Sequence, residues 1–200
     1  LSPGRLHVTG AITLQDSCRS VMELSGTAMT EHDRLTTDGT LSCGGTLDVV
    51  LDGYTPAIGD AFDLFDAAGC SGGFDSLLLP SLPAGSAWYL DSLAVDGRLL
   101  VVPADEKTDT DGDALPDWWE IRYFAGATNA HRDAVSDQSG MTNLEKFTAG
   151  LPPFDDDAVF AASADVGSDL DAFVLQWPSV SGRLYSVDAT ANPADPNSML

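Results

Sequence analysis

Apolar and polar positions alternate in short runs through the first hundred residues. Leu6-His-Val8, Leu47-Asp-Val49-Val-Leu51, Phe62-Asp-Leu64, Leu93-Ala-Val95 and Leu99 to Val102 carry the two-residue period of half-buried strands. Turn signals built on Gly, Asp-Gly or Pro-Ala-Gly separate them, and long helical periodicity is absent. Residues 1–103 therefore read as an all-β region.

A repeat runs through this region. Cys18-Arg-Ser-Val-Met-Glu-Leu24 matches Cys43-Gly-Gly-Thr-Leu-Asp-Val49, and Cys70-Ser-Gly-Gly-Phe-Asp75 follows the same frame. The offsets are 25 and 27 residues. A period in the twenties predicts a β-solenoid, with one rung per repeat, and a β-sandwich is the alternative. Stacked strands lie about 4.8 Å apart, so Cys18 and Cys43 are expected within disulfide reach, with Cys70 next in line as the odd thiol.

Residues 104–153 change character. Pro116 suits a helix start, the run from Asp117 to Ala125 has helical apolar spacing, and Gly126 is the expected stop. Thr142-Asn-Leu-Glu145 is a capping-box pattern, predicting a second helix over about 142–149 that ends at Gly150. Both helices are too short to stand alone. They are expected to pack on each other through Trp119, Ile121, Phe124, Leu144 and Phe147. Trp118 and Trp119 are read as packing residues, with a ligand platform as the alternative.

Just before and within the first helix lies the densest chemistry of the chain. Asp109, Asp111, Asp113, Asp117 and Glu120 fall at positions 1, 3, 5, 9 and 12 of an EF-hand-like loop. Carboxylates this close repel one another unless a cation sits between them. A hard, oxygen-seeking ion of high coordination number fits, which points to Ca2+. Asp109, Asp111 and Asp113 would offer side-chain oxygens and Leu115 its carbonyl. Asp117 would act directly or through water, and Glu120 with both oxygens. Ala114 stands where such loops usually carry glycine. A second loop, aligned on Gly140, places Asp137, Ser139, Met141 and Asn143 at positions 3, 5, 7 and 9. It has Val135 at position 1 and Lys146 at position 12. One good site and one vestigial site are expected.

Residues 154–200 open with a Pro-Pro-Phe-Asp-Asp-Asp linker. Phe173 to Trp177 and Leu184 to Val187 then look like a hairpin that begins a further β module.

Composition narrows the function. Hydrophobic residues make up 44%, enough for a core. The net charge is −22, and 16 of the 31 acidic residues fall between Asp105 and Asp171. Such a chain will not seek nucleic acid or anionic lipid. No run of about 18 apolar residues predicts a membrane insertion. His7, His32 and His131 are scattered without zinc-ligand spacing. The start at Leu1 and the stop in a polar stretch suggest an internal segment of a longer protein.

Several of these stretches resemble known families. Leu1-Ser-Pro-Gly4, Val8-Thr-Gly10, the Gly44–Val49 and Tyr54–Phe62 stretches, Leu79-Pro-Ser-Leu-Pro-Ala-Gly85 and Trp88 resemble the terminal part of autotransporter-associated β-strand repeat proteins. These are large bacterial surface or secreted passengers. That resemblance implies a β-solenoid with a structural or adhesive role. Asp111-Gly-Asp113, Leu115 to Glu120, Gly140 to Leu144 and Ala149-Gly150 resemble dockerin-like and thrombospondin type 3-like calcium segments. By that resemblance the ligands are Asp109, Asp111, Asp113, Asp117 and Glu120. The tail from Leu175 to Arg183 is similar to the start of small C-terminal β-sandwich modules.

Enzymatic readings are weaker. Gly69-Cys-Ser-Gly-Gly73 matches a nucleophile elbow around Ser71, but the flanking sequence predicts no helix after it. Asp60, Asp63 and Asp66 could serve a β-helix polysaccharide lyase, yet a solvated strand face explains 63 and 66. The expectation is a non-enzymatic, calcium-binding structural or adhesion segment, secreted or at the cell surface. Docking to a cohesin-like protein or a glycan partner is the alternative.

Overall fold

Three passes of the chain, each of three strands, dominate the first part of the molecule. They are seen in a computed structural model that describes residues 3–166, 173–180 and 183–187. The chain divides into two units, Leu1–Arg132 and Asp133–Leu200. Among the described residues, fourteen strands stand against three helices, so the protein is mainly β.

In the first unit, β1 (Arg5–Val8), β2 (Ile12–Thr13) and β3 (Arg19–Leu24) make the first pass. The second is β4 (Arg34–Thr37), β5 (Thr40–Cys43) and β6 (Thr46–Leu51). After β7 (Ala61–Asp63) come β8 (Phe65–Asp66), β9 (Gly69–Gly72) and β10 (Ser76–Leu78). Each strand pairs in parallel with its counterpart one pass later, giving the orders β1-β4-β8, β2-β5-β9 and β3-β6-β10.

Parallel register stacks like on like. Leu6, Leu35 and Phe65 form one ladder, and Ile12, Leu41 and Cys70 another. Met22 faces Val49, and Leu24 faces Leu51. Leu24, Leu41, Leu47 and Phe65 are essentially sealed from solvent. Such burial removes roughly 1.5–3 kcal/mol of apolar exposure per side chain.

The repeat is longer than the cysteines suggest. Arg19 faces Thr46, 27 positions on, and Thr46 faces Ser76, 30 positions on. Cys18 therefore lies against Gly45, Cys43 against Gly72, and Cys70 against Leu41. All three cysteines are free. The expected Cys18–Cys43 equivalence fails because each pass is staggered from the cysteine frame by two residues. What repeats in space is a glycine over a cysteine carbonyl. A Cβ on Gly45 would lie 2.3 Å from Cys18 O, and one on Gly72 would lie 2.4 Å from Cys43 O. Both glycines also have positive φ.

Past the third pass, the pairing turns antiparallel. β11 (Ser86–Tyr89) and β12 (Arg98–Pro103) form the sheet β11-β12-β7. Leu93 to Val95, expected as a strand, instead belongs to a one-turn helix, α1 (Leu93–Asp96). Ser92 O accepts from the amides of Val95, Asp96 and Gly97, and Gly97 ends the turn at φ 72°. Four residues are too few for periodicity to separate a turn of helix from a strand.

α2 (Asp117–Phe124) packs on β12, with Ile121 among Leu100 and Val102. Trp118 stacks on Tyr89 at 5.7 Å, and Trp119 is buried. Ile121, expected against the second helix, is thus covered by β12, and that second helix belongs to the other unit. The helix stops one residue before Gly126, because Ala125 takes the left-handed conformation at φ 59°. Gly126 instead makes room for Asn129, whose side-chain amide donates to Phe124 O at 3.0 Å and caps the helix end.

In the second unit, α3 (Asn143–Ala149) has the expected bounds and cap. Thr142 N–H donates to Glu145 at 2.7 Å, and Glu145 N–H returns to Thr142 Oγ1 at 3.2 Å. Gly150 closes the helix at φ 75°. The expected hairpin is replaced. β13 (Ser163–Val166) pairs antiparallel with β14 (Phe173–Gln176), while residues 183–187 are not strand. Part of the expected turn, Ser181-Gly182, lies outside the described residues. Among the described residues, no helix is long and apolar enough to cross a membrane.

Candidate metal centre

The loop between β12 and α2 is tied at its base by backbone. Asp117 N–H donates to Thr108 O at 2.9 Å, and both Asp117 oxygens are held by Thr110, one by its amide and one by its hydroxyl, at 2.7 Å each. Asp117 therefore fixes the loop's closure with oxygens already engaged.

Inside this closure the chain curls around its own carboxylates. Asp109 accepts from the amides of Gly112 at 2.8 Å and Ala114 at 2.9 Å. Leu115 N–H donates to Asp113 Oδ1 at 2.8 Å, and the Leu115 side chain is fully buried beneath. Ala114 takes φ 76°, the conformation the usual glycine would supply. One carboxylate oxygen from each of Asp109, Asp111 and Asp113 then falls within 4.8 Å of the others.

Glu120 sits on the first turn of α2 and is fully buried. Its Oε1 accepts from Ala130 N–H at 2.9 Å, and its Oε2 has no hydrogen-bond partner. Burial, reinforced by the charges of Asp111, Asp113 and Asp117 and opposed by the Ala130 bond, pushes its carboxyl up to about 7. A buried, half-satisfied carboxylate beside other carboxylates is a costly arrangement that a cation would relieve.

Of the six predicted ligand residues, the fold gathers Asp109, Asp111 and Asp113 into one cluster. Asp117 is committed to Thr110, and Glu120 stands outside the cluster, with one unpartnered oxygen, within electrostatic reach of Asp111 and Asp113. The sequence reading missed Arg132. Its amide donates to Asp113 Oδ2 at 2.9 Å and its guanidinium to Asp113 O at 3.1 Å. It also missed Ala130, since a backbone amide leaves no mark in residue type. These groups fit a hard cation bound by oxygens: carboxylate-rich, with a spare buried oxygen.

The other carboxylates raised by sequence have structural partners. Asp60 accepts from Tyr54 Oη at 2.6 Å and Ala57 N–H at 2.7 Å. Asp63 and Asp66 both bind the buried Arg34, at 2.5 and 3.0 Å. Ser71 lies exposed on β9, which runs on to β10 without the helix that a nucleophile elbow needs. No family model matches the chain, and no curated protein or solved structure matches it either.

Proposed function

We propose that this chain is a calcium-binding structural segment of a secreted or cell-surface protein. The first three passes form the end of a β-solenoid, and the Asp109–Glu120 loop is an ion-dependent brace after it. The observation that carries the calcium reading is Glu120: fully buried, with one unpartnered oxygen, and within electrostatic reach of Asp111 and Asp113, two of the three clustered aspartates. Asp109, Asp111 and Asp113 would hold the ion, and Glu120 would complete the set. Bound calcium would supply the positive charge that lets these carboxylates share one loop.

The chain's own residues do the rest. Thr110 locks Asp117, Arg132 orients Asp113, and Ala130 fixes one Glu120 oxygen. For the solenoid, the support is parallel pairing with the three sheets visited in the same order on each pass. A β-sandwich would instead be built from antiparallel strands. For the structural role over docking, the support is that Trp119 and Ile121 are already buried, Ile121 against β12. Those two side chains are therefore not on offer to a cohesin-like or glycan partner.

The test is thermal unfolding and calcium calorimetry on the whole chain. Calcium at a hundred times its Kd should add about 2.7 kcal/mol to the first unit. Identical melting in calcium and in chelator overturns the reading.

A further inference from the structure

The two acidic loops have the same backbone wiring, 26 residues apart. Asp117 N–H donates to Thr108 O in the first, and Asn143 N–H to Ala134 O in the second. Thr110 Oγ1 holds Asp117, and Ser136 Oγ holds Asn143 at 2.7 Å. Leu115 N–H reaches Asp113, and Met141 N–H reaches Ser139. Ala114 at φ 76° matches Gly140 at φ 80°.

The loops differ most at their last position. The first ends on Glu120, a buried carboxylate with an oxygen to spare. The second ends on Lys146, whose side chain is only 1% exposed. Its Nζ lies 2.6 Å from Asp137 Oδ2 and donates to the carbonyls of Asp155 at 2.8 Å and Ala158 at 2.6 Å. An ammonium has three protons, and here three oxygens surround it. A carboxylate and two carbonyls are the donor set a hard cation takes.

We propose that the Lys146 ammonium is a resident cation that fills the second loop in place of a metal ion. The second unit is thereby closed without calcium, because the charge that the first loop must recruit is covalently attached in the second. Lys146 also draws residues 155–158 onto the loop through their carbonyls, a contact that a bare carboxylate at this position could not make.

The test uses the whole chain carrying Asp113→Ala, so that the first loop is silent whether or not it ever bound calcium. Three measurements apply: calorimetry with CaCl2, amide exchange across Asn143–Ala149 in calcium and in chelator, and the same exchange after substitution. The parent should show no calcium uptake and unchanged α3 protection in calcium. Lys146→Met, which keeps the aliphatic stem, should lower α3 protection at least tenfold. Adding Asp137→Asn to Lys146→Met should recover part of that loss, because it removes a buried carboxylate left without its counter-charge. The proposal is overturned by calcium uptake at the second loop of the parent. It is equally overturned if Lys146→Met protects like the parent, or if the double variant recovers nothing.

Discussion

Glu120 and Ala114 each hold an unfavourable state that one substitution would relieve. Glu120→Gln removes a buried negative charge while keeping a group that can accept from Ala130 N–H. In chelator this variant should unfold at a higher temperature than the parent. Its calcium affinity, read by calorimetry, should fall at least tenfold. A variant destabilised in chelator would show that Glu120 is not strained there. Ala114 occupies φ 76°, where a Cβ is crowded. Ala114→Gly should stabilise the chain by about 1 kcal/mol in denaturant unfolding, with calcium affinity kept or raised. At this scale Asp109, Asp111 and Asp113 were legible in the sequence because carboxylate identity and spacing carry the signal together. The amide bonds from Ala130 and Arg132 were not, since they come from well down the chain, and an amide is present at almost every residue.

Between elements, register decides what the sequence alone left open. The three cysteines share a sequence frame, yet in space each of the first two meets a glycine. A two-residue stagger is invisible to motif alignment, because strand pairing is set by backbone hydrogen bonds and core ladders rather than by matching letters. The capping box of α3 was readable, since its signal is local to four residues. That β12 covers Ile121 was not, since an apolar helical face says only that it will be covered. The glycine contacts make a sharp comparison. Gly45→Ala places a Cβ against Cys18 O at a positive φ and should cost about 2 kcal/mol or more. Gly73→Ala meets nothing within 4 Å and should stay within about 0.5 kcal/mol of the parent. Equal losses by denaturant titration would show that the close approach at Gly45 does not exist.

Across the whole molecule, the two units should answer differently to acid and to calcium. Asp137 is held below the ordinary carboxylate value of 3.8, first by the Lys146 ammonium and then by Ser139. A carboxyl with a depressed folded-state pKa stabilises the fold above its unfolded value. That contribution fades as pH falls through the folded value. Protection of the α3 amides should therefore hold from neutral pH down to about 4 and decline below it, with or without calcium. Protection in the first unit should respond to calcium at neutral pH. A decline of α3 protection already at pH 6 would contradict the Asp137 assignment.

The in-register stacking of β1–β6 and β8–β10 also has a mechanical side. Hydrogen bonds between passes run across the strands, from each pass to the next. A pull that lifts the first pass away would load those bonds one after another, as in a zipper, rather than all at once in shear. Each released pass frees the 27 to 30 residues that separate paired positions. At about 3.3–3.6 Å per extended residue, that is roughly 100 Å of slack per event. Single-molecule extension should then record a low-force staircase of such steps from the Arg5 end; if the Asp109–Glu120 loop binds calcium as proposed, it should yield as a separate rupture that chelator erases.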